Sequence, residues 1–178
     1  MKKLIIALII SMMIPVAFAQ KITGRWHCPT EVVKQYRLGF DGVSCRYKFK
    51  KNGTFVLKIK GDSFVGHKHY TGEYEHHHSG TIVIKGKYSV KDGKITSYVE
   101  KDNIETAASV YPNYSFDGDG STASQTYSEY RLQNGTSNGM EINMRRRIMD
   151  NSFLWDWKDV PIEQAGNQLK IGDKLILQ

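Results

Sequence analysis

Five of the six histidines fall within twelve residues, in the run His67-Lys-His69-Tyr-Thr-Gly-Glu73-Tyr-Glu75-His76-His77-His78. His67 and His69 point the same way in an extended chain. A turn at Thr71-Gly72 would bring His76 or His78 back beside them. Three neutral imidazoles on one face suit Zn²⁺, Cu²⁺ or Ni²⁺, with Glu73 or Glu75 as an extra oxygen ligand. Zinc or copper is therefore the cofactor the chain would take, if it takes one, through His67, His69, His76 and His78. The plainer alternative is a polar, exposed hairpin in which histidine is tolerated; no spacing here is diagnostic of a metal site. A pH-sensing role uses the same residues.

Other chemistry is thinner. Asp117, Asp119 and Ser121 follow the opening of a calcium loop, but Thr122 and Ser128 stand where such a loop needs Gly and Glu, so a polar turn is expected. His27 beside Cys28 suggests a thiol–imidazole pair. However, Cys28 and Cys45 are the only cysteines, and an isolated pair in an oxidising space is expected to form one structural disulfide. No nucleophile elbow, paired catalytic carboxylates, phosphate loop or dinucleotide fingerprint occurs. No catalytic residue is assigned, and the chain is not read as an enzyme.

The compartment follows from the first nineteen residues. Lys2 and Lys3 precede an apolar run, Leu4 to Val16, and Ala17-Phe18-Ala19 has the small-x-small form of a cleavage site. The run is shorter than the ~20 residues of a membrane crossing. A signal peptide over 1–19 is expected, delivering residues 20–178 to the periplasm or outside the cell as one domain without a stable membrane anchor.

The elements that must position these residues are strands. Tyr47 and Phe49 alternate with Arg46, Lys48 and Lys50; Phe55, Leu57 and Ile59 alternate with Lys58 and Lys60; and Ile82, Ile84, Tyr88 and Val90 alternate with Lys85 and Lys87. This period of two marks sheets with one buried and one solvated face. The connections can be read as well. A three-residue loop, Lys51 to Gly53, keeps Phe49 opposite Phe55 and Tyr47 opposite Leu57, whereas a two-residue turn would mix the faces. Asp92-Gly93 as a two-residue turn pairs Val90 with Ile95 and Tyr88 with Ser97. Gly86 interrupts an apolar face and suggests a bend. Leu169 and Ile171 pair back on Leu175 and Leu177 around Gly172-Asp173.

Elsewhere, Pro29 to Tyr36 is expected to hold a short helical turn. Ile104 to Val110 reads as a short helix within a long loop or flap, Lys101 to Gln125. Ser128, Tyr130 and Leu132 are expected to pair with Met144, Ile142 and Met140 in a hairpin whose second strand ends at Ile148. Phe153, Trp155 and Trp157 read as alternating strand positions, and Gln164 to Asn167 as a loop. Eight to ten short strands joined by hairpins point to an all-β, antiparallel up-and-down barrel, with a sandwich as the alternative.

The segment Ile22-Thr-Gly24-Arg-Trp26, followed by FKKNGTF and IKGKYSVKDGKI, resembles the opening of bacterial lipocalin-like (calycin-type) domains over the first half of the expected mature chain. The resemblance implies a barrel whose Trp26 closes one end and stacks under a late arginine, for which Arg146 is the candidate. It also implies binding of a small apolar or amphipathic molecule in a barrel cavity. The lining expected is Leu57, Tyr88, Val90, Ile142, Met144 and Arg146.

The formal net charge is +7, of which Lys2 and Lys3 contribute two. A basic excess spread over alternate strand positions favours an anionic partner such as a cell-wall polymer, lipid headgroups or an acidic protein, and does not favour nucleic acid. Three functions remain in view: a carrier of a small apolar molecule, an inhibitor or immunity-type protein that blocks an exported protein through an exposed loop, and a metal-binding protein. A monomer is expected.

Overall fold

A computed structural model describes residues 22–30, 42–69, 72–114 and 137–178. The expected signal peptide, most of the turn after Pro29, the aspartates of the 117–121 segment and the 128–132 strand lie outside the described residues.

Among the described residues nine strands form one antiparallel system: β1 (Gly24–Cys28), β2 (Gly42–Phe49), β3 (Thr54–His69), β4 (Gly72–Lys91), β5 (Lys94–Tyr98), β6 (Ile104–Tyr114), β7 (Val160–Ala165), β8 (Gln168–Ile171) and β9 (Leu175–Leu177). Eight follow one another around a ring in the order β1-β2-β3-β4-β5-β7-β8-β9, and β6 branches off β4. The ring closes where His27 and Gln178 exchange backbone hydrogen bonds, His27 N donating to Gln178 O at 2.6 Å and Gln178 N to His27 O at 2.8 Å. The expected up-and-down barrel is the fold, and the sandwich is not.

The hairpin registers match the hydrophobic patterning. Phe49 opposes Phe55 and Tyr47 opposes Leu57, with Gly53 at φ +74° in the left-handed position a three-residue loop needs. Val90 opposes Ile95 and Tyr88 opposes Ser97; Asp92 and Gly93 both have positive φ, as a type I′ turn requires. Leu169 opposes Leu177 and Ile171 opposes Leu175.

Four expectations are corrected. Residues 104–110 are not helical: Ile104 to Tyr114 is strand β6, paired with the first half of β4 from Ile84↔Ile104 to Tyr74↔Tyr114. Backbone pairing with an available edge overrides the local helix preference of Ala107 and Ala108. Residues 140–148 are not a strand but lie in helix α1 (Ser137–Asp150). There Met144 and Ile148 are buried and Met140 packs against them, the i, i+4, i+8 stripe of a helix. The Phe153–Trp157 segment is not a strand either; it opens with a 3-10 turn at Ser152–Leu154. Lastly, Gln164 and Ala165 belong to β7, which turns tightly at Gly166-Asn167 into β8.

The interior is built around interlocked rings. Phe49 meets Tyr88 edge-on at 5.1 Å between centroids, and Trp157 lies 5.3 Å from Phe55 and 6.1 Å from Phe49. Their polar atoms are satisfied by backbone: Tyr47 OH donates to Leu154 O, Trp157 Nε1 to Phe153 O and Tyr88 OH to Lys50 O. Eight strands enclose a space that side chains of this size can fill. Helix α1 lies along β6. Its Glu141 carboxylate accepts from Ala108 N at 3.0 Å, and its Arg145 guanidinium donates to Ile104 O and Lys101 O.

Candidate functional site

The histidine run lies on the β3–β4 hairpin. His69 opposes Gly72, His67 opposes Tyr74, Val65 opposes His76 and Ser63 opposes His78. Directly opposed residues share a face, so the positions of His67, His69, His76 and His78 all fall on one side of the hairpin. His77, Glu73 and Glu75 take positions of the other parity. The register positions of Glu73 and Glu75 are thus on the opposite face, because each is an odd number of residues from His76 and His78. Beyond Asp62 the described part of β3 pairs only with β4. At ~3.3 Å per residue the hairpin extends roughly 25 Å past the β2 ladder, with β6 running along its other strand.

The residues expected to line a common cavity are not brought together as one lining. Leu57, Tyr88 and Val90 are buried in the barrel and Met144 is buried on α1. Ile142 is 62% exposed on the far side of that helix. Arg146 is exposed too, and donates to Asn143 Oδ1 rather than stacking on Trp26. A period of two put these side chains on one face of a strand; the 3.6 period of a helix separates them. Trp26 is buried without the arginine, its indole N–H donating to Ile22 O.

Cys28 and Cys45 stand directly opposite each other, and both are buried free thiols, so the expected disulfide is absent from this structure. His27 commits its N–H and C=O to Gln178, which leaves Cys28 and Cys45 as a hydrogen-bonded pair. That pair type holds its side chains farther apart than its neighbour in the ladder, against the ~3.5–4.5 Å Cβ separation of a disulfide. A thiol–thiol hydrogen bond holds Cys28 below the usual thiol range; the same bond and burial push Cys45 well above it.

The most developed surface feature is the outer face of β1–β4. Arg25, Arg46, Lys48, Lys50, Lys58, Lys60, Lys85 and Lys87 are all exposed on it. Register places cations directly opposite cations: Arg25 opposes Lys48, and Arg46 opposes Lys58. Only Lys85 has an ion-pair partner among the described residues, the Glu105 carboxylate. The alternation that revealed these residues in sequence could not reveal their rows, which depend on register across four strands.

This wall ends in a cleft of about 280 Å³. It lies where β4 changes partners: Lys87 pairs with Tyr98 of β5, and Ile84 pairs with Ile104 of β6. Lys50, Lys85, Lys87, Tyr98, Glu100 and Asn103 line it, with the backbone of Gly86 beneath. Tyr98 is 63% exposed.

No helix among the described residues is long and apolar enough to cross a membrane. No known protein family, curated protein or solved structure matches the chain.

Proposed function

We propose that this is an exported, non-catalytic binding protein that engages an anionic polymer on the outside of its barrel. The observation that carries this reading is the pairing of like charges: Arg25 with Lys48 and Arg46 with Lys58, with no carboxylate between them. Like charges directly opposite one another on a sheet destabilise it. A purely solvated face would gain by mixing signs. A polyanion laid across the rows converts that repulsion into attraction and releases its counterions. The ring-packed interior and its satisfied polar groups support an external site over a cargo cavity.

The test is titration calorimetry of the 20–178 protein with long-chain polyphosphate at low and moderate salt. Binding should weaken steeply with salt, and a variant carrying Arg46→Gln, Lys48→Gln, Lys58→Gln and Lys60→Gln should lose most of the affinity and of the salt dependence. Absence of binding, affinity unchanged in the variant, or capture by anionic lipid vesicles without binding of the soluble polymer overturns the reading.

A second reading, capture of a divalent metal by the hairpin, is favoured by the placement of His67, His69, His76 and His78 on one face. Zinc calorimetry on the protein and on a His67→Ala/His69→Ala/His78→Ala variant tests it. Equal weak binding by both ends the idea.

A further inference from the structure

The cleft at the β4 branch point has a composition that the rest of the basic wall lacks. We infer that it is a subsite for one carboxylated sugar residue of an anionic polysaccharide, which deepens the reading of the wall as a polyanion surface and rests on it.

The cleft exists because of backbone geometry. β5 leaves β4 at Tyr98, the chain crosses a 3-10 turn at Lys101–Asn103, and β6 rejoins β4 at Ile104. Gly86 sits in the gap. A Cβ there would lie 2.6 Å from Phe55 Cε1, 2.7 Å from Val99 Cγ2 and 2.9 Å from Tyr98 O, so the close packing behind the cleft depends on a residue without a side chain. About 280 Å³ is space for a single ring rather than for an extended ligand.

The lining combines three kinds of group. Lys50 and Lys87 line the cleft, are exposed, and have no ion-pair partner among the described residues; Lys85 is held by Glu105. Two ammoniums around one opening suit a carboxylate through charge-assisted hydrogen bonds. Tyr98 offers an exposed aromatic face beside them. A phosphate chain has nothing to place on such a face, whereas a sugar ring has an apolar C–H side that stacks on it. The Asn103 amide and the Glu100 carboxylate supply donors and an acceptor for hydroxyl groups. Glu100 also counts against a ligand that is anionic all over, and fits one that carries a single charge amid hydroxyls.

The experiment compares two probes, trigalacturonate and long-chain polyphosphate, on the 20–178 protein and on Tyr98→Ala and Lys50→Gln/Lys87→Gln variants. Trigalactose serves as the uncharged control. Both ligands should bind the unsubstituted protein, and trigalactose should not. Tyr98→Ala should weaken trigalacturonate about tenfold and leave polyphosphate unchanged. The lysine pair should abolish trigalacturonate binding and only reduce that of polyphosphate. Since Tyr98 is mostly exposed, an unchanged melting temperature confirms that the variant is folded. Polyphosphate binding without trigalacturonate binding, or equal loss of both ligands in Tyr98→Ala, overturns the sugar subsite alone. If neither probe binds, the basic-wall reading falls with it.

Discussion

His27 and Gln178 face each other as a reciprocally bonded pair, and that one pair joins the first strand of the barrel to the last. Each contributes a donor and an acceptor, as one rung of an antiparallel ladder does. Gln178→Pro removes the donor to His27 O, and His27→Pro removes the donor to Gln178 O. Each should lower stability by roughly 1–3 kcal/mol in urea unfolding. The double variant should cost less than the sum, because the two changes break one rung. Strict additivity would show that the rung does not act as a unit.

Cations in the wall should be stability-negative. Replacing Arg46 by Gln relieves its direct opposition to Lys58 and should raise stability by roughly 0.2–1 kcal/mol at low salt. The gain should shrink as salt screens the repulsion. Thermal melts at two ionic strengths check this. A loss of stability at low salt would mean that the arginine is held for its packing.

Gly86 should tolerate no side chain. Gly86→Ala places a methyl against the Phe55 ring and the Tyr98 carbonyl, and overpacking of this kind costs roughly 1–3 kcal/mol. Adding Phe55→Leu should recover part of the loss by opening room on the ring side. The carbonyl is backbone and does not move aside, so recovery should be incomplete.

Tyr47 should make the fold sensitive to alkali. Burial pushes its phenol well above the ordinary tyrosine value, and burial likewise raises Tyr88, opposed by its hydrogen bond with Thr23. The unfolded chain therefore ionises first, near pH 10. The tyrosine contribution to stability should be level below that pH and fall as pH rises toward the folded-state values, because the unfolded state releases the protons. Tyr47→Phe should flatten the fall. It also strips Leu154 O of its donor, lowering stability at neutral pH by roughly 1–3 kcal/mol.

Much of the barrel was legible because its turns carry local chemistry. Asn52-Gly53 and Asp92-Gly93 set register by conformational need, and the flanking aromatic and aliphatic residues left one consistent pairing. Helix α1 was not legible for a definite reason. Met140, Ile142, Met144 and Ile148 satisfy a period of two, while Met140, Met144 and Ile148 alone satisfy 3.6. The consecutive arginines 145–147 and the scarcity of β-branched residues were the signals for the second choice. Strand β6 is hidden in the sequence for the converse reason: Ala107 and Ala108 favour a helix locally, and only the free edge of the first half of β4 makes a strand preferable. The cleft was beyond sequence reasoning altogether. It is produced by β4 exchanging one neighbour for another, and no run of residues announces that exchange.

Helix α1 also serves as a guard. A bare β6 margin would be a template for strand addition from a second molecule. Glu141 occupies the Ala108 donor, Arg145 occupies the Ile104 acceptor, and Pro112 farther along has no donor to offer. Detachment of this one short helix would therefore strip Met144 and Ile148 from the core and at the same time bare a margin that nucleates edge-to-edge polymerisation.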